Sequence, residues 1–536
     1  MLKIAHAITL SDGWRRHVMA FVAGVIGALA LAPVHVIPAA FVPMIVSVLL
    51  LDGLAPVKSA RFDRTALRQA GLIGWFLGFG YFVAGLWWLG AAFLVDAEEF
   101  AWALPFGVAG LPAILGCFTA FGMMLARLLW STGSTRILAL ALALGISEWL
   151  RGTLFTGFPW NDFGMMLASN LVLAQSASIF GLHGLTFLSV FIFASPAVLS
   201  DRSTGRKPTA LLWGLILLVA LTAFGALRLA GASDKNVAGV KIRIMQPNVP
   251  QDDRFRIENK DQILDQYLRL SAQPSAQAPN GLSDVTHLIW PESAFPFILS
   301  RDPDSLARIS RALGRVVLVT GAARAETVNS GAFPGEIRKV SYFNSIQVLT
   351  GSGAIIDTYD ILHLVPFGEY LPLSGLLEKL GLRQFVHIPG GFEAGIARKL
   401  LAVPGLPGVF PLVCYEAIFP ESVEPDLLHK AGVIVNVTND GWFGPTFGPY
   451  QHLAQARLRS IESGLPFLRA ANTGISAIID PYGRSIDQLA IGVEAVLDAH
   501  LPAALSMPLI AHYPFLSPFL LALFGFLLLG FLRWRR

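Results

Sequence analysis

Cysteine and charge are both scarce in this 536-residue chain, and each scarcity excludes a class of protein. The two cysteines, Cys117 in an apolar run and Cys414 far downstream, cannot build a disulfide framework or a zinc-finger set. Charged residues make up 14% against about 25% in ordinary soluble domains. Hydrophobic residues make up 54%, too many for a wholly soluble protein. The net charge of +4 is small, and the basic residues form no long tract, which argues against nucleic acid as a partner. No Walker or G-x-G-x-x-G phosphate loop and no internal repeat is found. The first apolar run leads straight into others, so no cleavable leader is expected.

What the chain does have is apolar stretches of spanning length. Eight membrane helices are expected at roughly 17–32, 35–52, 70–92, 105–130, 135–151, 180–199, 209–231 and 511–532. The segment after Glu148, with "GFPWNDFG", is aromatic and half polar, as at a membrane surface. Basic residues gather in alternate loops: Arg15 and Arg16; Lys58, Arg61, Arg64 and Arg68; Arg127 and Arg136; Arg202, Arg206 and Lys207; and Arg533, Arg535 and Arg536. With eight spans all of these fall on one side, which makes both termini cytoplasmic and turns the polar domain between the seventh and eighth spans outward.

From Val240 the texture changes. Short β-branched runs such as "THLIWPES", "RVVLVTGAAR" and "GVIVNVTND" alternate with helical patterns such as "NKDQILDQYLRLS". That alternation predicts a layered α/β domain. The expected division is a membrane domain at 1–235, an outward domain at 236–505 and a last span with a basic tail at 506–536. Three strand ends carry reactive groups: Glu292 in "HLIWPES", Cys414 in "FPLVCYE" and Asn439 with Trp442 in "VNVTNDGWFG". Loops at strand ends are where α/β folds assemble sites. A thiol there becomes a nucleophile if a base or cation favours its thiolate, and Glu292 is a candidate base. Taken alone, a single cysteine is more often a small buried hydrophobe, and Glu369 and Glu416 serve equally well as structural acceptors.

The combination is more specific than its parts. "GFPW" at 157–160, "QPNVPQ" at 246–251, "WPESAFP" at 290–296, "HLVPFGEYLP" at 363–372, "CYE" at 414–416, "NVTNDGWFG" at 436–444 and "RAANTGISAIIDPYG" at 469–483 occur in order over nearly the whole chain. The outward domain resembles the nitrilase, or carbon–nitrogen hydrolase, superfamily. The full set resembles the apolipoprotein N-acyltransferases, an acyltransferase family of the bacterial inner membrane. The resemblance implies an αββα sandwich with a Glu–Lys–Cys triad, mounted on the periplasmic side of a polytopic α-helical anchor. It implies a phospholipid donor, typically phosphatidylethanolamine, a thioester on Cys414, and diacylglyceryl apolipoproteins as acceptors. It implies Glu292 as proton acceptor and Glu369, Tyr415, Glu416, Asn439 and Trp442 as supporting residues, with Phe255 where the family often has tryptophan. No cofactor or metal is expected, and the chain is expected to be a monomer.

One departure touches the triad. The family reads Tyr-x-Lys-x-His-Leu-Val-Pro-Phe-Gly-Glu, and this chain reads "YDILHLVPFGE", with Ile361 in the place of the catalytic lysine. Isoleucine carries no charge and donates no hydrogen bond, so reduced transferase activity is expected. Arg338 and Lys339 are the nearest upstream cations that could substitute. The competing readings are a membrane-tethered amidase that uses water as acceptor, a catalytically dead lipoprotein-binding protein, and a transporter or receptor with a non-catalytic outer domain.

Overall fold

The computed structural model describes residues 2–54, 63–204, 207–251, 257–329, 338–377, 379, 384–385, 390–420 and 424–534. The chain divides into two compact units. One comprises Met1–Ala232, Thr446–Ser463 and Pro508–Arg536; the other comprises Ser233–Pro445 and Gly464–Met507.

The first unit is helical. Five helices among the described residues are long and apolar enough to cross a membrane: Arg64–Val95, Ala97–Leu128, Thr135–Thr156, Ala177–Asp201 and Thr209–Ala230. Eight were expected. The expected span at 35–52 holds a shorter apolar helix, Ile37–Asp52, and that at 511–532 holds Leu516–Leu528. The expected span at 17–32 holds Gly13–Ala28, whose 16 residues include the charged start "GWRRH". Its packing follows the logic of bilayer helices, in which small residues let backbones approach. A Cβ on Gly24 would lie 2.0 Å from the carbonyl oxygen of Leu77, and one on Gly80 would lie 2.2 Å from that of Phe21.

Helix Gly448–Ser463 belongs to this unit although it lies late in the chain. Its Gln451 Oε1 accepts the indole N–H groups of Trp88 at 3.1 Å and Trp160 at 3.0 Å, while its Nε2 donates to the Gly85 carbonyl at 3.1 Å. The "GFPW" segment is therefore turned inward at Trp160, which is 2% exposed, while Phe155 just before it is 90% exposed.

The second unit carries the strands β1 (Asn236–Gln246), β2 (His287–Trp290), β3 (Val317–Asn329), β4 (Arg338–Leu349), β5 (Ile355–Asp360), β6 (Gly408–Val413), β7 (Ala431–Thr438), β8 (Phe467–Ala471), β9 (Ala477–Ile479), β10 (Ser485–Gln488) and β11 (Ala495–Pro502). They form a sheet of order β11-β1-β2-β3-β4-β5 and a sheet of order β10-β9-β8-β7-β6. Each has a parallel run, β1-β2-β3 inside the first sheet and β6-β7-β8 at one side of the second.

Alternation along the strands explains the layers. Ile242 and Ile244 of β1, Val319 of β3 and Ile346 of β4 share one buried apolar cluster with Val413 of β6 and Val433, Val435 and Val437 of β7. The opposite face of β1 sends Met245 into a second cluster with Ile263, Tyr267 and Ile309 from helices Lys260–Ala272 and Pro303–Leu313. Arg243 on that face is buried and paired with Asp498 of β11 at 2.8 Å.

Candidate active site

Cys414 is the first residue beyond β6. Val409, Phe410, Leu412 and Val413 of that strand are buried, so the thiol is carried at the end of a strand anchored in the core. The chain turns sharply at Cys414, whose φ of 42° is in the left-handed region that a side chain with Cβ rarely adopts. Such local strain persists only where its surroundings hold it. Part of the hold comes from Glu416, whose Oε2 accepts the Val413 N–H at 2.8 Å. From β7, the Thr438 hydroxyl donates to Sγ of Cys414 at 3.2 Å. Burial pushes the thiol well above the ordinary range, and the negative charges of Glu292 and Asp440 push it further. The Asn439 N–H and the Thr438 hydroxyl act in the opposite sense.

Glu292 follows β2 in a turn where Ser293 has a φ of 46°. Gly321 of β3 lies against this turn: a Cβ there would lie 2.5 Å from the Cα of Glu292. Glycine is needed at 321 for that approach. Oε1 of Glu292 accepts a 2.8 Å hydrogen bond from Nδ2 of Asn344 on β4, and the same Nδ2 donates at 2.8 Å to Oε1 of Glu369. Oε2 of Glu369 accepts the Val365 N–H at 2.9 Å. Burial raises the Glu369 pKa, and the neighbouring Glu292 raises it further, to about 8. Burial and the neighbouring Glu292 thus both favour the protonated form of Glu369.

Ile361 lies just past β5. Its N–H donates to the Asn344 carbonyl at 2.9 Å, and its own carbonyl accepts the Gly395 N–H at 2.7 Å. Its side chain is fully buried in the inter-sheet cluster, against which Cys414 also packs. The backbone of this segment is thus held on both sides, and the isoleucine fills apolar space without adding a donor or a charge. The side chains of Arg338 and Lys339 lie outside the described residues, as does Phe255.

Glu416 ties two of these segments together. Oε1 accepts the Tyr359 hydroxyl at 2.8 Å, the Leu362 N–H at 3.0 Å and Nη2 of Arg398 at 3.1 Å. Tyr415 turns aside and meets the Phe419 ring edge-on at 5.0 Å. The Asn439 side chain donates to Gln251 at 2.7 Å and caps the turn at Gly441, so it is the main chain of Asn439 that faces the thiol. Trp442 packs on Phe385, ring centroids 6.2 Å apart.

The strand-end residues Glu292, Cys414 and Asn439 therefore converge with Ile361, Glu369 and Glu416, while Tyr415 and Trp442 pack on neighbouring rings. Sequence reading missed Asn344, Thr438 and Arg398. Thr438 sits inside the strand-end motif "VNVTNDGWFG" beside Asn439, whereas Asn344 and Arg398 lie outside the strand-end motifs, and the signal for Asn344 was a polar residue inside an apolar strand, "YFNSIQVL".

Residues 23–195 match the family model described as the apolipoprotein N-acyltransferase N-terminal domain, and residues 243–508 match that of the carbon–nitrogen hydrolases. The chain is 49% identical over 513 residues to the apolipoprotein N-acyltransferase of Rhodopseudomonas palustris, covering 95% of this chain and 94% of the relative. It is 49% identical over 509 residues to that of Bradyrhizobium diazoefficiens, covering 94% and 92%. Among solved structures, an amidase from Nesterenkonia sp. is similar at 19% identity and a TM-score of 0.32, covering 51% of this chain and 94% of the amidase.

Proposed function

Since the chain belongs to the apolipoprotein N-acyltransferase family, whose members are membrane acyltransferases of lipoprotein maturation, we propose that its chemistry runs through a thioester on Cys414 and that Ile361 slows it severely. The observation that carries this reading is the convergence of Glu292, Asn344, Glu369 and Cys414 around position 361.

In the first half-reaction, Glu292 takes the Sγ proton and the thiolate attacks the sn-1 ester carbonyl of a phospholipid, typically phosphatidylethanolamine in this family. The carbon–oxygen bond breaks, and the lysophospholipid leaves with the proton that Glu292 returns. In the second, the α-amine of an S-diacylglyceryl cysteine attacks the thioester. Glu292 takes the amine proton, and the thiol is regenerated. Both tetrahedral intermediates carry an oxyanion that needs donors.

A lysine at 361 would supply a cation to a site that already holds two carboxyl groups, Glu292 and Glu369. Isoleucine withdraws it, which disfavours both the thiolate and the oxyanion. Losing one oxyanion donor typically costs about 10²–10³ in rate. In this reading residues 1–235 and 506–536 form an eight-span anchor in the inner membrane, and residues 236–505 form the catalytic domain on the periplasmic side of a monomer.

The test is a labelled-phospholipid assay with a diacylated lipopeptide acceptor. The parent should transfer slowly and Ile361→Lys much faster, with no transfer by Cys414→Ala. If Ile361→Lys gains nothing, the reading of position 361 is wrong, and a lipoprotein-binding protein with silent chemistry becomes the better account.

A further inference from the structure

The Glu416 network offers a function that charge bookkeeping alone does not suggest. Its donors flank both key positions: the Tyr359 hydroxyl and the Leu362 N–H come from either side of residue 361, and the Val413 N–H immediately precedes Cys414. One carboxylate therefore bridges the segment that carries the family's lysine position and the turn that carries the nucleophile.

The carboxylate is fully buried, and its cation is Arg398, whose side chain is 1% exposed. Nη1 of Arg398 donates to the Pro411 carbonyl in β6 at 2.8 Å. Its guanidinium also lies over the rings of Tyr359 and Phe410, 5.5 and 5.3 Å from their centroids. A further charged group among the described residues, Glu424, lies 3.8 Å from Nε and is half exposed. Burial alone would lower the Arg398 pKa, and Glu416, Tyr359 and Glu424 together raise it.

An ionised carboxylate accepts from all of these donors at once. Removing the guanidinium takes a charge-assisted donor from this buried carboxyl group and loosens the point at which the two segments meet.

We propose that Arg398 is a positioning residue: by holding the Glu416 carboxyl group in place, it locks the segment bearing position 361 against the turn bearing Cys414. This rests on the reading of residue 361 as the place of the catalytic cation. It predicts that Arg398 matters most when there is a cation at 361 to align.

The experiment is a double-mutant cycle on the full-length chain, read as the rate of Cys414 alkylation by iodoacetamide followed by peptide mass. That readout needs no lipid. Ile361→Lys should speed alkylation about tenfold or more, a change of roughly 1.4 kcal/mol or above. Arg398→Met should erase most of that gain while slowing the Ile361 parent far less, and Arg398→Lys should retain part of it. Tyr359→Phe, which removes one donor and no charge, should act in the same direction more weakly and provides a second variant should Arg398→Met fold poorly.

Equal fractional losses in both backgrounds would mean a merely structural arginine and overturn the proposal. No gain from Ile361→Lys would overturn it differently: the reading of position 361 would fall, and the lock would have nothing to align.

Discussion

Nδ2 of Asn344 lies 2.8 Å from Oε1 of Glu292, and the main-chain carbonyl of the same asparagine holds the N–H of Ile361 at 2.9 Å. A single β4 residue therefore sets the position of the candidate base and of the segment where the family carries its lysine. Its amide also reaches Glu369. Asn344→Leu removes the shared donor from two buried carboxyl groups. The expected cost is about 1–3 kcal/mol of stability, measured by denaturant unfolding in detergent. The Glu369 titration should also move further upward, because the Asn344 bond is one of the contacts that lowers it.

Glu369 makes stability depend on pH in a defined direction. Its pKa is raised from 4.5 to about 8, chiefly by burial and then by Glu292. The folded protein therefore binds this proton more tightly than the unfolded chain. The stabilising contribution is complete below about pH 4.5 and is lost as pH rises through about 8. Melting temperature should fall between pH 5 and pH 9. Glu369→Gln, which cannot ionise, should flatten that fall even if it lowers the melting temperature throughout.

Thr438 tests the thiol environment without altering its shape. Its hydroxyl donates to Sγ at 3.2 Å. Thr438→Val keeps the volume and removes the donor. A net hydrogen bond of about 0.5–1.5 kcal/mol corresponds to a roughly 2- to 12-fold slower alkylation of Cys414 at fixed pH. An unchanged rate would mean that the hydroxyl does not stabilise the thiolate.

In the helical unit, Gln451 offers a similar test. Its side chain accepts from Trp88 and Trp160 and donates to Gly85. Gln451→Leu should cost about 1–3 kcal/mol and alter tryptophan fluorescence, because both indoles lose a polar acceptor.

The sequence made some of this legible and hid the rest for physical reasons. Glu292 and Cys414 stand out because each breaks an apolar run at the point where a parallel strand ends, and the sheets place both there. Position 361 drew notice because it falls inside a recognisable motif, "YDILHLVPFGE". Asn344 could not be picked out, because its partners lie 52 and 25 residues away and the strand around it reads as ordinary. Arg398 sits in "GIARKL" with nothing local to mark it, and its meaning comes from a carboxylate 18 residues on. Span counting also reached a limit: the helices at Gly13–Ala28 and Ile37–Asp52 are shorter than the other spans, and the first of them starts with charged residues.

The most direct measurement is the intact mass of the protein over time after exposure to phospholipid vesicles, with the adduct mapped to its peptide. Ile361→Lys should gain one acyl chain on Cys414 at least about 10²-fold faster than the parent, and Cys414→Ala should gain none. Equal acylation rates for the parent and Ile361→Lys, or an adduct that survives the loss of Cys414, would contradict the account.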